Sequence, residues 1–263
     1  MKNTKTLRMT ALAVALAAPS AFATNGYFTH GVGAHNKAQA GAGLASPTQA
    51  IDAANNPASA ILVDDQTNAS LSIFSPRRSY TASSSMAQGN GGAFSIMTQG
   101  ELDSKSNYFP LPSFSKKWMW GDDSALAFSF YGRGGMNTDW KGGAAAFDPD
   151  GPGPAPVMTM PGTYGMGDAG VDLMQAFMEL AWAKKISDNF AVGVAPVVVI
   201  QAFEAKGLEA FTGYTKTFAA NAAQGGAPAN NLTGNGHDTS TGVGLKIGAN
   251  WQLNDKVSLA IAH

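Results

Sequence analysis

Three clusters of tight-turn residues alternate along this chain with three long, glycine-rich connections, and this asymmetry limits the folds open to it. The clusters are Gly121-Asp122-Asp123, Ser187-Asp188-Asn189 and Asn254-Asp255, each set between runs of alternating apolar residues. The connections run from Ser83 to Ser106, Gly132 to Gly170 and Lys206 to His237, far longer than the ~2–5 residues of a hairpin loop in a compact domain. One end of the structure is trimmed and the other elaborated. Outer-membrane β-barrels are built in this way, with short periplasmic turns and long outer loops. The competing architecture is a soluble β-sandwich with insertions.

The amino terminus agrees with a membrane address. Lys2, Lys5 and Arg8 precede an apolar stretch from Met9 to Ala18, which leads to the small-x-small triplet Ala21-Phe22-Ala23. This pattern predicts a secretory signal over residues 1–23, cut after Ala23. The stretch is shorter than the ~20 residues that a spanning helix needs. Apolar runs elsewhere are shorter still, so entry into a bilayer requires a closed sheet that satisfies its own backbone.

Seven strands are expected, near Ala69–Tyr80, Tyr108–Trp118, Ser124–Tyr131, Asp172–Lys185, Phe190–Phe203, Thr241–Trp251 and Val257–His263. Alternate residues of a strand face opposite sides. In the sixth, Val243, Leu245, Ile247, Ala249 and Trp251 share one face, and Gly242, Gly244, Lys246, Gly248 and Asn250 the other. In the fourth, Met174, Ala176, Met178, Leu180 and Trp182 face lipid, which turns Gln175, Phe177 and Glu179 inward. A carboxylate facing mid-bilayer is costly, so Glu179 fixes that register. Trp118, Trp120, Trp182 and Trp251 all lie near the short turns. Indoles favour the level where hydrocarbon meets headgroup, so these four read as an aromatic girdle rather than core residues.

The fifth strand is apolar on both faces, with Ala191, Ala195, Val197, Val199 and Phe203 turned inward. Such a lining suits a greasy solute or packs against an internal plug, and the two readings are compatible. Charged residues make up 13% of the 263, against ~25% in ordinary soluble domains, and they gather in turns and loops. A net charge of −1 leaves no footprint for nucleic acid, and the absence of Cys excludes disulfides and thiolate chemistry. Catalytic patterns find little support: His30 and His35 lack metal-ligand spacing, and Asp148-Pro149-Asp150-Gly151 has too few oxygen ligands for a calcium loop. No catalytic residue, metal or cofactor is expected.

The segment before the first strand reads Asn25-Gly26-Tyr27-Phe28, then a Gly- and Ala-rich run, then Ala53-Ala54-Asn55-Asn56-Pro57-Ala58. Further along stand Phe130-Tyr131-Gly132, the hairpin from Trp182 to Gly193, and the strand from Gly242 to Trp251 leading into Leu253-Asn254-Asp255. In order and spacing these resemble the FadL family of outer-membrane transporters for long-chain fatty acids and other hydrophobic compounds, over essentially the whole mature chain.

The resemblance implies an all-β fold: a fourteen-stranded transmembrane antiparallel barrel, about half of it present, with an N-terminal hatch inside the lumen. It divides the chain into the signal (1–23), the hatch (24–65, with Asn56, Pro57 and Ala58 as its motif) and the N-terminal half of the barrel (66–263). The family's proposed lateral exit, at a kink in the third strand, would fall at Gly132, Gly134 and Gly135, which otherwise begin a flexible loop. Pro196 is a second possible defect, because it withholds a ladder hydrogen bond. A carboxylate in an apolar pocket needs a cation, for which Arg133, Lys206 and Lys246 are candidates; Tyr27, Phe28, Phe177 and Phe203 are candidates for the alkyl or aromatic part. The odd strand count and the ending at His263, without a terminal aromatic, imply the first half of a longer protein, monomeric when whole. Alone, its two open edges are expected to aggregate. The implied partners are a hydrophobic small molecule and outer-membrane lipid. A general porin or surface adhesin without gating is the alternative reading, and an outer-membrane hydrolase a minor one.

Overall fold

Period-two patterning and tight turns produce one dominant element, a seven-stranded antiparallel sheet that forms half of a barrel wall. The computed structural model describes residues 28–82, 93–97, 100–151, 153–223 and 232–263. In sheet order the seven strands are β1 (Gln66–Phe74), β5 (Phe109–Met119), β6 (Ser124–Trp140), β9 (Ala169–Ser187), β10 (Phe190–Lys206), β11 (Asp238–Asn254) and β12 (Val257–Ala262). The three short turns join β5 to β6, β9 to β10 and β11 to β12. Gly121 opens the first with φ +82°, a conformation that glycine adopts without strain. The proposed signal and Tyr27 lie outside the described residues.

The expected first strand, third strand and long connections are corrected. The first strand begins at Gln66 and ends at Phe74 rather than at Tyr80; Ser79–Thr81 is instead β2, paired with β4 (Glu101–Asp103). The third strand does not stop at Tyr131 but continues to Trp140, because residues 134–140 extend the ladder with β9. The long connections also carry structure of their own. In them β3 (Ala93–Met97), β7 (Ala144–Asp148) and β8 (Met158–Pro161) form a three-stranded sheet, and helix α2 (Lys216–Ala223) follows β10. Glycine and proline marked the chain reversals there and concealed the short strands between them.

The two faces of the sheet differ. One carries exposed Leu71, Ile73, Leu180, Ile247 and Val243, the last 88% exposed. The other is covered by residues 28–65, folded as helix α1 (Gly33–Ala38) and three short 3-10 helices at Gly43–Ala45, Ala50–Ala54 and Pro57–Ile61. Among the described residues no helix is long and apolar enough to cross a membrane.

Small side chains let the covering segment approach the wall. Ala125, Ala127, Ala181, Ala183, Ala191 and Ala195 form a buried seat for Ala53, Ala60 and Ile61. Beside it, Asn56 caps the Pro57–Ile61 helix by accepting from the Ala58 amide at 3.0 Å, while its Nδ2 donates to the Ala249 carbonyl at 3.1 Å. A Cβ on Gly193 would come within 2.4 Å of the Ala58 nitrogen, and one on Gly248 within 2.0 Å of Asn56 Oδ1. Only glycine fits at those two wall positions.

Candidate functional site

The wall changes character where β5 and β6 part. Their ladder runs from Met119↔Ala125 to Ser113↔Tyr131 and ends there, although β5 continues paired with β1 as far as Phe109↔Phe74. On its other side β6 shifts register against β9 between Gly132 and Gly134, so Arg133 forms a bulge. The N-terminal segment is joined to this irregularity: Phe28 bridges Gly134, and the Thr29 amide donates to the Arg133 carbonyl at 3.0 Å.

A cavity of about 1230 Å³ occupies this position. Residues of both sheet faces line it: Phe109, Leu111 and Leu173 from the covered face, Pro112, Met174 and Ile200 from the bare one. The cavity therefore reaches side chains of both faces. Among the described residues its ionisable lining is basic, comprising Lys37, Arg78, Arg133 and the imidazole of His30 without an acidic residue. Partial burial pushes the Lys37 ammonium below the ordinary lysine value. The Arg133 guanidinium lies 5.5 Å over the ring of Phe28, and its buried Nε has no hydrogen-bond partner. Arg78 donates to the carbonyls of Asn137 and Ser106, with its own Nε unpartnered.

An aromatic and ionic chain leads from this cavity to the covering segment. Phe28 meets Phe177 edge-on at 6.2 Å, and Phe177 stacks on Tyr131 at 5.3 Å. The Tyr131 hydroxyl donates to Glu179, which also accepts from Lys246 at 2.6 Å. Lys246 in turn donates to the Ala54 carbonyl at 2.5 Å.

The residues singled out from sequence fall at separate places in the fold. Phe28, Arg133, Gly132, Gly134 and Gly135 meet at the cavity. Phe177 lies behind Phe28, and Phe203 pairs across the ladder with the lining residue Leu173. The two lysines are engaged elsewhere: Lys206 with Asp139 at 2.8 Å, and Lys246 with Glu179. Asn56, Pro57 and Ala58 rest on the wall at Gly193 and Gly248. Pro196 coincides with a lapse in the β9–β10 ladder, which resumes at Val197. Lys37 and Arg78 carry no motif, and His30 showed only that it lacks metal-ligand spacing; the fold alone brings the three together.

No protein-family model and no curated protein matches the sequence. Among solved structures, the crystal structure of a Pseudomonas aeruginosa FadL homologue is similar, with 18% identity and a TM-score of 0.48 over 84% of this chain and 48% of that one. The chain spans about half the length of that protein.

Proposed function

We propose that this chain forms part of a passive outer-membrane transporter for hydrophobic molecules that carry an anionic head group, with long-chain fatty acids as the type substrate. The observation behind this reading is the cavity at the β5–β6 parting: apolar side chains for a tail, three cationic residues beside a histidine, and no carboxylate among the described lining residues to repel an anion. An anion in such a place is held by charge-assisted hydrogen bonds, and burial of the tail contributes roughly 25 cal/mol per Å². Arg133, with its unpartnered Nε, is the head-group residue. Phe28 contacts the tail with Phe177 packed behind it, while Phe203 and Lys206 lie on the approach from the outer loops.

In this reading residues 24–65 are a hatch. Their bonds to Arg133, Glu179–Lys246 and Ala249 hold the lumen shut, and cargo leaves sideways through the parting into the lipid. The exposed apolar face and the tryptophans near the short turns are the lipid-facing surface, reached after removal of the signal. No cofactor is needed, since the concentration gradient drives entry. Deleting Thr24–Asp65 from the full-length protein tests the gate: raised single-channel conductance with altered oleate uptake is expected. Unchanged conductance and uptake would mean an ungated porin.

A further inference from the structure

The parting between β5 and β6 has a chemical cause in the sequence Phe109-Pro110-Leu111-Pro112. Along an unbulged strand, residues of one parity direct their backbone N–H and C=O to one neighbour and the alternate residues to the other. The Trp120 amide donates to the Ser124 carbonyl at 2.8 Å, so the even-numbered residues of β5 address β6. Neither ladder of β5 shows a register shift, and this direction therefore holds back to residue 110. Pro110 and Pro112 occupy the two even positions directly beyond the last β5–β6 pair, and neither has a donor. The odd-numbered residues serve β1, which accounts for that ladder continuing to Phe74.

Distance alone does not end the pairing. A Cβ on Gly132 would stand 3.6 Å from Cδ of Pro112 and 3.9 Å from the Leu111 Cα, so β6 still runs alongside β5 at the next rung. What is missing is the donor at position 112. The same molecule holds a comparison: the solitary Pro196 interrupts the β9–β10 ladder only at Ala195 and Pro196. Two prolines on successive rungs, facing a bulge, end a ladder for good.

We infer that Pro110 and Pro112 are positioning residues that hold the wall open: they leave β5 without donors where cargo must cross, so the strands cannot close and the apolar rim exposes no unpaired amide. This rests on the lateral-exit reading above. It is tested in the full-length protein with Pro110→Val and Pro112→Thr together, which restore both donors on strand-forming residues. The new amide at position 112 is expected to exchange with solvent about tenfold or more slower than an unpaired one, and uptake of radiolabelled oleate to fall about tenfold.

Fast exchange at position 112 would overturn the role given to the prolines and leave the exit reading standing. Slow exchange with undiminished uptake would overturn the exit itself. If the double variant loses the heat-modifiable folded form, Phe114→Pro provides the converse. It removes the next donor toward β6 and should speed exchange of the opposing Phe130 amide about tenfold, whereas unchanged exchange there refutes the inference.

Discussion

Glu179 of β9 and Lys246 of β11 meet at 2.6 Å although β10 lies between them, and the glutamate side chain is only 1% exposed. A buried pair of this kind adds little over a well-packed apolar replacement, but removing one partner leaves a charge stranded. Glu179→Leu or Lys246→Met alone is therefore expected to destabilise by about 3–5 kcal/mol. The double variant should recover most of that loss. Because Lys246 also donates to the Ala54 carbonyl, its loss should free the N-terminal segment first. Limited proteolysis of residues 28–65, followed beside the unfolding midpoint of the barrel, separates the two effects.

The contact between the wall glycines and the Asn56–Ala58 turn leads to a second expectation. At Gly193 an added Cβ meets backbone, which cannot swing aside, whereas at Gly248 it meets the Asn56 side chain and the Pro57 ring. Gly193→Ala should therefore expel the turn more thoroughly than Gly248→Ala. The Ala58 amide in the first variant should show the larger rise in hydrogen exchange, and the strands should keep their protection in both.

How much of this was legible beforehand follows from the range of the forces involved. Period-two alternation and turn chemistry act over a few residues, so all seven wall strands could be located from sequence, and Glu179 alone set the facing of its strand. The extension of β6 past Tyr131 was hidden because Gly132, Gly134 and Gly135 read as loop, while a bulge allows the ladder to resume. The inward facing of both Glu179 and Lys246 was readable. Their pairing was not, because two residues separated by an intervening strand leave no local pattern. Pro110 and Pro112 stood in plain view within an expected strand, but which neighbour they faced depended on register.

Arg133 is the cavity cation best placed to receive a head group, since its main chain is held by Thr29 while its Nε lies buried without a partner. Arg133→Met keeps the length of the side chain and removes the charge. Affinity for oleate, measured by calorimetry on the full-length protein, is expected to fall about ten- to hundredfold, the usual range for a lost charge-assisted hydrogen bond. Affinity for an uncharged hydrocarbon of equal length should change little. Equal losses for both would mean that Arg133 acts through packing on Phe28.

Lys37 gives a prediction in which the sign carries the argument. Its folded-state value is depressed by desolvation, so the charged form is disfavoured in the empty protein, and docking of its helix is weakest below that value. The penalty fades as pH rises through the depressed value, where the amine becomes neutral at little cost. An anion bound in the cavity reverses the preference by giving the ammonium a partner. Lys37→Met should thus raise the protease resistance of residues 28–65 at neutral pH without ligand, yet weaken oleate binding about three- to tenfold. Oleate should protect the segment more strongly in the native protein than in the variant. If the substitution left oleate affinity unchanged, the head group would lie away from Lys37.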